Sequence, residues 1–104
     1  MRQPNNGFYL LPVGEVAYLQ AEAGLLFAYD RHGARHALTG TLTEWEQLDP
    51  AQFLRLNRST LVQLTAIVQV EPYFNNRLTI RLPSGTTLTS SSAQTAAFRR
   101  WPET

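Results

Sequence analysis

The sequence contains no cysteine, no lysine and only one methionine, and no apolar run approaches the roughly 18 residues of a membrane-spanning helix. Without cysteine neither a disulfide framework nor a thiolate metal site is available, which fits a reducing cytoplasm. The N-terminal stretch MRQPNNGFYLLPVGE has one arginine and no long apolar segment ending at a small-residue cleavage site. It does not read as a secretory leader. Charge is sparse as well: charged residues make up 16% of the chain and the net charge is +1. Catalytic groups are equally scarce. There is no glycine-rich phosphate cradle. Ser90, Ser91 and Ser92 have no base tied to them by a motif, and a serine run before a helix reads as an N-cap. His32 and His36, with Asp30 the nearest carboxylate, read as solvated turn histidines rather than metal ligands. No enzyme activity, cofactor or metal is expected.

What is present suggests one small β-rich domain spanning residues 1–104. The 43% hydrophobic content excludes a disordered chain, and the length suits a single modest core. FYLLPV, EVAYLQA, GLLFAYD and ARHAL read as short strands, punctuated by Gly14, Gly24 and Arg31-His32-Gly33. TLTEWEQL breaks the pattern. Thr41 and Glu44 have capping-box spacing, and Leu42, Trp45 and Leu48 form an apolar stripe, so a two-turn helix is expected before Asp49-Pro50. FLRL, NRSTLVQL, AIVQVEPYF, RLTIRL and TTLT return to strand, with Asn75-Asn76 and Pro83-Ser84-Gly85 as turns. SSAQTAAFRRW reads as a closing helix with Phe98 and Trp101 inward. The expected core is Val16, Tyr18, Leu26, Leu42, Trp45, Leu48, Phe53, Leu56, Leu61, Leu64, Ile67, Val70, Leu78, Ile80, Leu82, Leu88 and Phe98.

Charge is unevenly distributed along the chain. Residues 1–50 hold three arginines against six acidic residues, a net of −3, whereas residues 51–104 hold six arginines against two, a net of +4. Such segregation is what a one-sided anion-binding surface requires, and arginine's planar fork suits phosphate and guanine edges. Within FLRLNRSTLVQL a core-forming stretch is interrupted by Asn57-Arg58-Ser59, which suits either base and phosphate contacts or a tight turn that caps its own backbone.

This segment resembles the signature F-x-R-x-H-R-S-[YF]-[LIV]-V-N-L of LytTR-type DNA-binding domains, matching at Phe53, Arg55, Arg58, Ser59, Leu61, Val62 and Leu64. AYLQAEAG, TLTEWEQLDPAQF and LPSGTTLTSSSA resemble the family's flanking segments in order, from about Phe8 to Trp101. The resemblance implies a mainly β fold: several short antiparallel strands in two or three small sheets, with one or two short helices. It also implies a cytoplasmic DNA-binding domain of a bacterial transcriptional regulator that enters the major groove through loops and follows a receiver or sensor domain of a two-component system. Its partner would be double-stranded DNA, bound as dimers on direct repeats. Carried over residue by residue, the DNA face comprises the loop at residues 22–25 including Gly24, then Asn57, Arg58 and Ser59, and the loop at residues 90–92 with Ser91 and Ser92. Arg55, Arg77 and Arg81 are phosphate neighbours, and Arg99 and Arg100 further candidates. The chain departs from the pattern at Asn57 (family His), Thr60 (aromatic), Gln63 (Asn), Ser92 (Arg) and Leu25 (Tyr or polar). Those losses motivate an alternative, a divergent copy serving as a protein–protein or dimerisation module.

Overall fold

Eight strands form two antiparallel sheets in the computed structural model, which describes residues 11–95. The larger sheet has the order β3-β2-β1-β5-β4, built from β1 (Val16–Glu22), β2 (Leu25–Asp30), β3 (Arg35–Leu38), β4 (Phe53–Asn57) and β5 (Thr60–Gln63). The smaller sheet is β6-β7-β8, from β6 (Gln69–Tyr73), β7 (Arg77–Arg81) and β8 (Thr87–Thr89). Helix α1 (Leu42–Leu48) links β3 to β4, which lie on opposite edges of the larger sheet, and so crosses one of its faces.

The capping box at the start of α1 is formed as its spacing predicts: the Thr41 hydroxyl accepts from the Glu44 N–H, and the Thr41 N–H donates to the Glu44 carboxylate. Seven residues are too few to hold a helix in water, so α1 depends on packing. Leu42 and Trp45 supply that packing over Val16, Leu19, Leu26, Ala28, Leu38, Phe53 and Leu61. On the opposite face Ala17, Tyr18, Leu56 and Val62 meet Leu78 and Ile80 of the smaller sheet and Leu82 just beyond β7. The larger sheet is therefore covered on both sides, and consecutive residues are buried in the first half of β1 and all along β5. A register shift between Val16 and Tyr18 turns both Ala17 and Tyr18 toward the smaller sheet.

Two expected core residues are corrected. Leu48 is 71% exposed, because at six residues beyond Leu42 it has rotated about 120° from the buried stripe on the last turn of the helix. Val70 is 39% exposed, because β6 is an edge strand with a partner on one side only. Of the expected first strand, Phe8 to Leu10 lie outside the described residues, and Val13–Glu15 form a 3-10 turn instead. The closing helix opens at Ser92 and is described as far as Thr95; Phe98, Arg99, Arg100 and Trp101 lie outside the described residues. Among the described residues no helix is long and apolar enough to cross a membrane.

Candidate nucleic-acid interface

Antiparallel pairing of β1 with β5, with Gln20 opposite Thr60, brings the β1–β2 turn and the β4–β5 turn to the same end of the larger sheet. The β1–β2 turn has two residues, Ala23 and Gly24, both at positive φ (52° and 81°). That is the mirror-image geometry matched to strand twist, and a glycine at the second position accommodates it freely. Leu25, just beyond, is 61% exposed.

The β4–β5 turn is built differently. Asn57 pairs with Thr60, neither Arg58 nor Ser59 has positive φ, and a register shift between Arg55 and Asn57 absorbs the mismatch in twist. The Asn57 side chain holds the turn: its Oδ1 accepts from the Ser59 N–H at 3.0 Å and from the Ser59 hydroxyl at 3.2 Å. Its Nδ2 donates to the Thr89 carbonyl at 3.1 Å. Arg55 projects onto the α1 face, where its guanidinium donates to the Glu46 carboxylate (3.1 Å from Nη2), to the Thr43 hydroxyl and to the Arg58 carbonyl (3.0 Å). Arg58 is exposed and carries no ion pair among the described residues. Together with Arg55, Gly24, Leu25, Thr41 and Thr43 it lines a cavity of about 260 Å³ between the two turns and the start of α1.

The third segment, leaving β8, lies directly alongside. The Ser91 N–H donates to the Leu56 carbonyl at 3.0 Å, and the Ser91 hydroxyl accepts from the Gln94 N–H, so Ser91 caps the helix that follows. Ser90 is buried; its hydroxyl accepts from the Leu78 N–H and bonds the Thr95 hydroxyl. Ser92 is exposed and donates its hydroxyl to the Asn75 carbonyl at 2.7 Å, which ties in the β6–β7 loop as well. Because the Ala21 N–H donates to the Ser59 carbonyl at 2.9 Å, hydrogen bonds connect all four loops in one row.

Not every expected residue joins that row. Arg77 stands at the loop end of β7, paired with Tyr73, whereas Arg81 is at the far end of the same strand, opposite Gln69 and Thr87. Both are exposed and without an ion pair among the described residues. In the N-terminal half, Arg31 is tied to the Gly14 carbonyl at 2.7 Å, and Arg35 lies over the Phe27 ring at 4.5 Å. His36 bonds the Asp30 carboxylate at 3.0 Å. Burial pushes the Asp30 carboxyl up, but hydrogen bonds from His36 and from the Ala34 and His32 N–H groups outweigh it and hold the group below its ordinary value. Near the loops the Glu22 carboxylate accepts from the Tyr29 hydroxyl at 2.8 Å, and Tyr29 stacks on Tyr18. Burial chiefly, with Tyr29 and the Glu22 charge adding to it, pushes Tyr18 up to about 12.

Sequence reasoning missed the β6–β7 loop at this end. Its signal was available in the aromatic pair Tyr73-Phe74 directly before Asn75-Asn76, which was assigned to an ordinary strand end.

Comparison with known proteins bears on the family and the fold. The profile of the LytTr DNA-binding domain family matches residues 6–103. The transcriptional regulatory protein YpdB of Escherichia coli K12 is 33% identical over 72 residues, 68% of this chain and 29% of that protein. The sensory transduction protein LytT of Enterococcus faecalis is 34% identical over 65 residues, 62% of this chain and 27% of that protein. The chain thus spans less than a third of the length of these relatives. Among solved structures, a LytTr DNA-binding domain of a methyl-accepting/DNA response regulator from Bacillus cereus superposes with a TM-score of 0.89. It is 21% identical and covers 100% of this chain and 96% of that one, a likeness of fold.

Proposed function

The chain belongs to the LytTr DNA-binding domain family, and from that membership we propose that it binds double-stranded DNA through the loop row at one end of its larger sheet. The observation that carries the reading is Arg58: an exposed guanidinium without an ion pair among the described residues, on a turn fixed from both sides. A base edge or a phosphate satisfies such a group equally well, and a fixed turn loses little entropy on binding. Gly24, Ser59, Ser91 and Ser92 line the same edge. In this reading Asn57 and Arg55 hold the Arg58 turn in place, while Arg77 adds sequence-independent attraction to phosphates.

The larger setting is part of the same proposal, supported by relatives of whose length the chain spans less than a third. In this reading the domain is the DNA-contacting part of a longer cytoplasmic regulator, whose remaining length supplies a receiver or sensor domain, and two copies occupy direct repeats. The family membership favours this over a protein–protein module, and no catalytic role is assigned.

A salt titration on duplexes selected from a random pool tests the reading. With Arg58 and Arg77 neutralising about two phosphates, log K falls with log salt at a slope near −1.8. Arg58→Ala costs about 1–3 kcal/mol of affinity where it reads a base edge. Absence of binding at low salt overturns the reading.

A further inference from the structure

The β6–β7 loop displays two aromatic side chains that belong to neither apolar cluster of the described residues. Tyr73 is 44% and Phe74 65% exposed, yet their rings already stack on each other at 4.2 Å and 29°. The loop is held firmly for its size. Phe74, Asn75 and Asn76 bridge the Tyr73–Arg77 pair, both asparagines sit at positive φ (61° and 58°), and Ser92 grips the Asn75 carbonyl at 2.7 Å. A pair of rings kept in water in one arrangement has little ordering entropy left to lose on contact. Its position is equally specific: the Ser92 bond makes this loop the end of the row that runs back to the β1–β2 turn. From Tyr73 to Arg77 the only charge is the positive one of Arg77, directly across from Tyr73.

We propose that the β6–β7 loop is a fourth DNA-contacting element, laying the Tyr73 and Phe74 rings against deoxyribose and base edges that flank the site, with Arg77 on a neighbouring phosphate. The proposal rests on the DNA-binding reading above. Duplex DNA is the occupant for two reasons. Two rings and one guanidinium offer far less than the ~800 Å² per partner of a stable protein interface. They also continue the edge already assigned to DNA, and their one charge has the sign that phosphate attracts.

The test uses the whole chain and a duplex that it binds, with affinity measured across a salt series for the wild type, Phe74→Ala, Tyr73→Ala, the double variant, Phe74→Tyr and Arg77→Ala. Both aromatic residues are exposed, so the variants are expected to melt like the wild type. Removing both rings is expected to weaken binding by about tenfold with the salt slope unchanged, because an apolar contact releases no counterion. Phe74→Tyr, which keeps the ring, is expected to hold the wild-type affinity, and Arg77→Ala to flatten the slope by about 0.9. Unchanged affinity in the double variant overturns the proposal and leaves the DNA reading standing. So does a loss of affinity that tracks dissociation of a dimer in sedimentation, which assigns the rings to a second copy. Failure of the wild type to bind any duplex overturns both.

Discussion

The three polar residues of the β4–β5 turn divide their work. Asn57 spends both ends of its amide on the fold, on Ser59 within the turn and on Thr89 across the gap to the next segment. Arg58 spends its guanidinium on nothing described. The two residues are therefore expected to respond oppositely to truncation. Asn57→Ala lowers stability by about 0.5–1.5 kcal/mol through the loss of its exposed and half-buried hydrogen bonds, whereas Arg58→Ala stays within about ±0.5 kcal/mol; chemical denaturation monitored by circular dichroism reads both. Equal midpoints for Asn57→Ala and wild type would remove the turn-holding role. From sequence the polar interruption was visible, and so were its two uses, base contact or local capping. Their assignment to different residues was not, because the Thr89 carbonyl that Asn57 reaches lies 32 residues away. Arg55 shows the same limit: the family resemblance makes it a phosphate neighbour, but its partners Glu46 and Thr43 come from a helix that only tertiary packing brings over β4.

Among the elements, the β1–β2 hairpin carries the clearest local cost. Ala23 adopts φ 52° in a turn whose geometry favours Asn or Gly, and an L residue with a Cβ loses on the order of 1 kcal/mol there. Ala23→Asn is expected to raise stability by about 0.5–1 kcal/mol, read as a higher urea midpoint with an unchanged slope; a decrease would show that the turn tolerates alanine for another reason. Strand positions were legible because alternation and turn residues are local signals, as in β7, where Leu78 and Ile80 are buried and Arg77 and Arg81 exposed. Burial of the inner strands was less so. Leu19 and Val62 are absent from the expected core. Here both faces are covered, so consecutive residues of β1 and β5 are buried alike.

For the whole molecule, that double coverage couples the two apolar clusters through shared strands. Leu61 belongs to the cluster under α1 and its neighbour Val62 to the one under the smaller sheet. Unfolding is accordingly expected to be a single transition. Leu61→Ala lowers it by about 2–5 kcal/mol and Ile80→Val by about 0.5–1.5 kcal/mol, each shifting tryptophan fluorescence and far-ultraviolet circular dichroism together. Separate midpoints for the two signals would mean that the sheets melt independently. The clasp between Arg55, Glu46 and the Arg58 carbonyl has a consequence for anyone wishing to move this domain's contact chemistry into a relative. Three transplanted residues, 57–59, would arrive without the helix that aims them, so the smallest portable cassette runs from Thr41 to Thr60, and a recipient lacking an acidic side chain at the Glu46 position would present the guanidinium at the wrong angle.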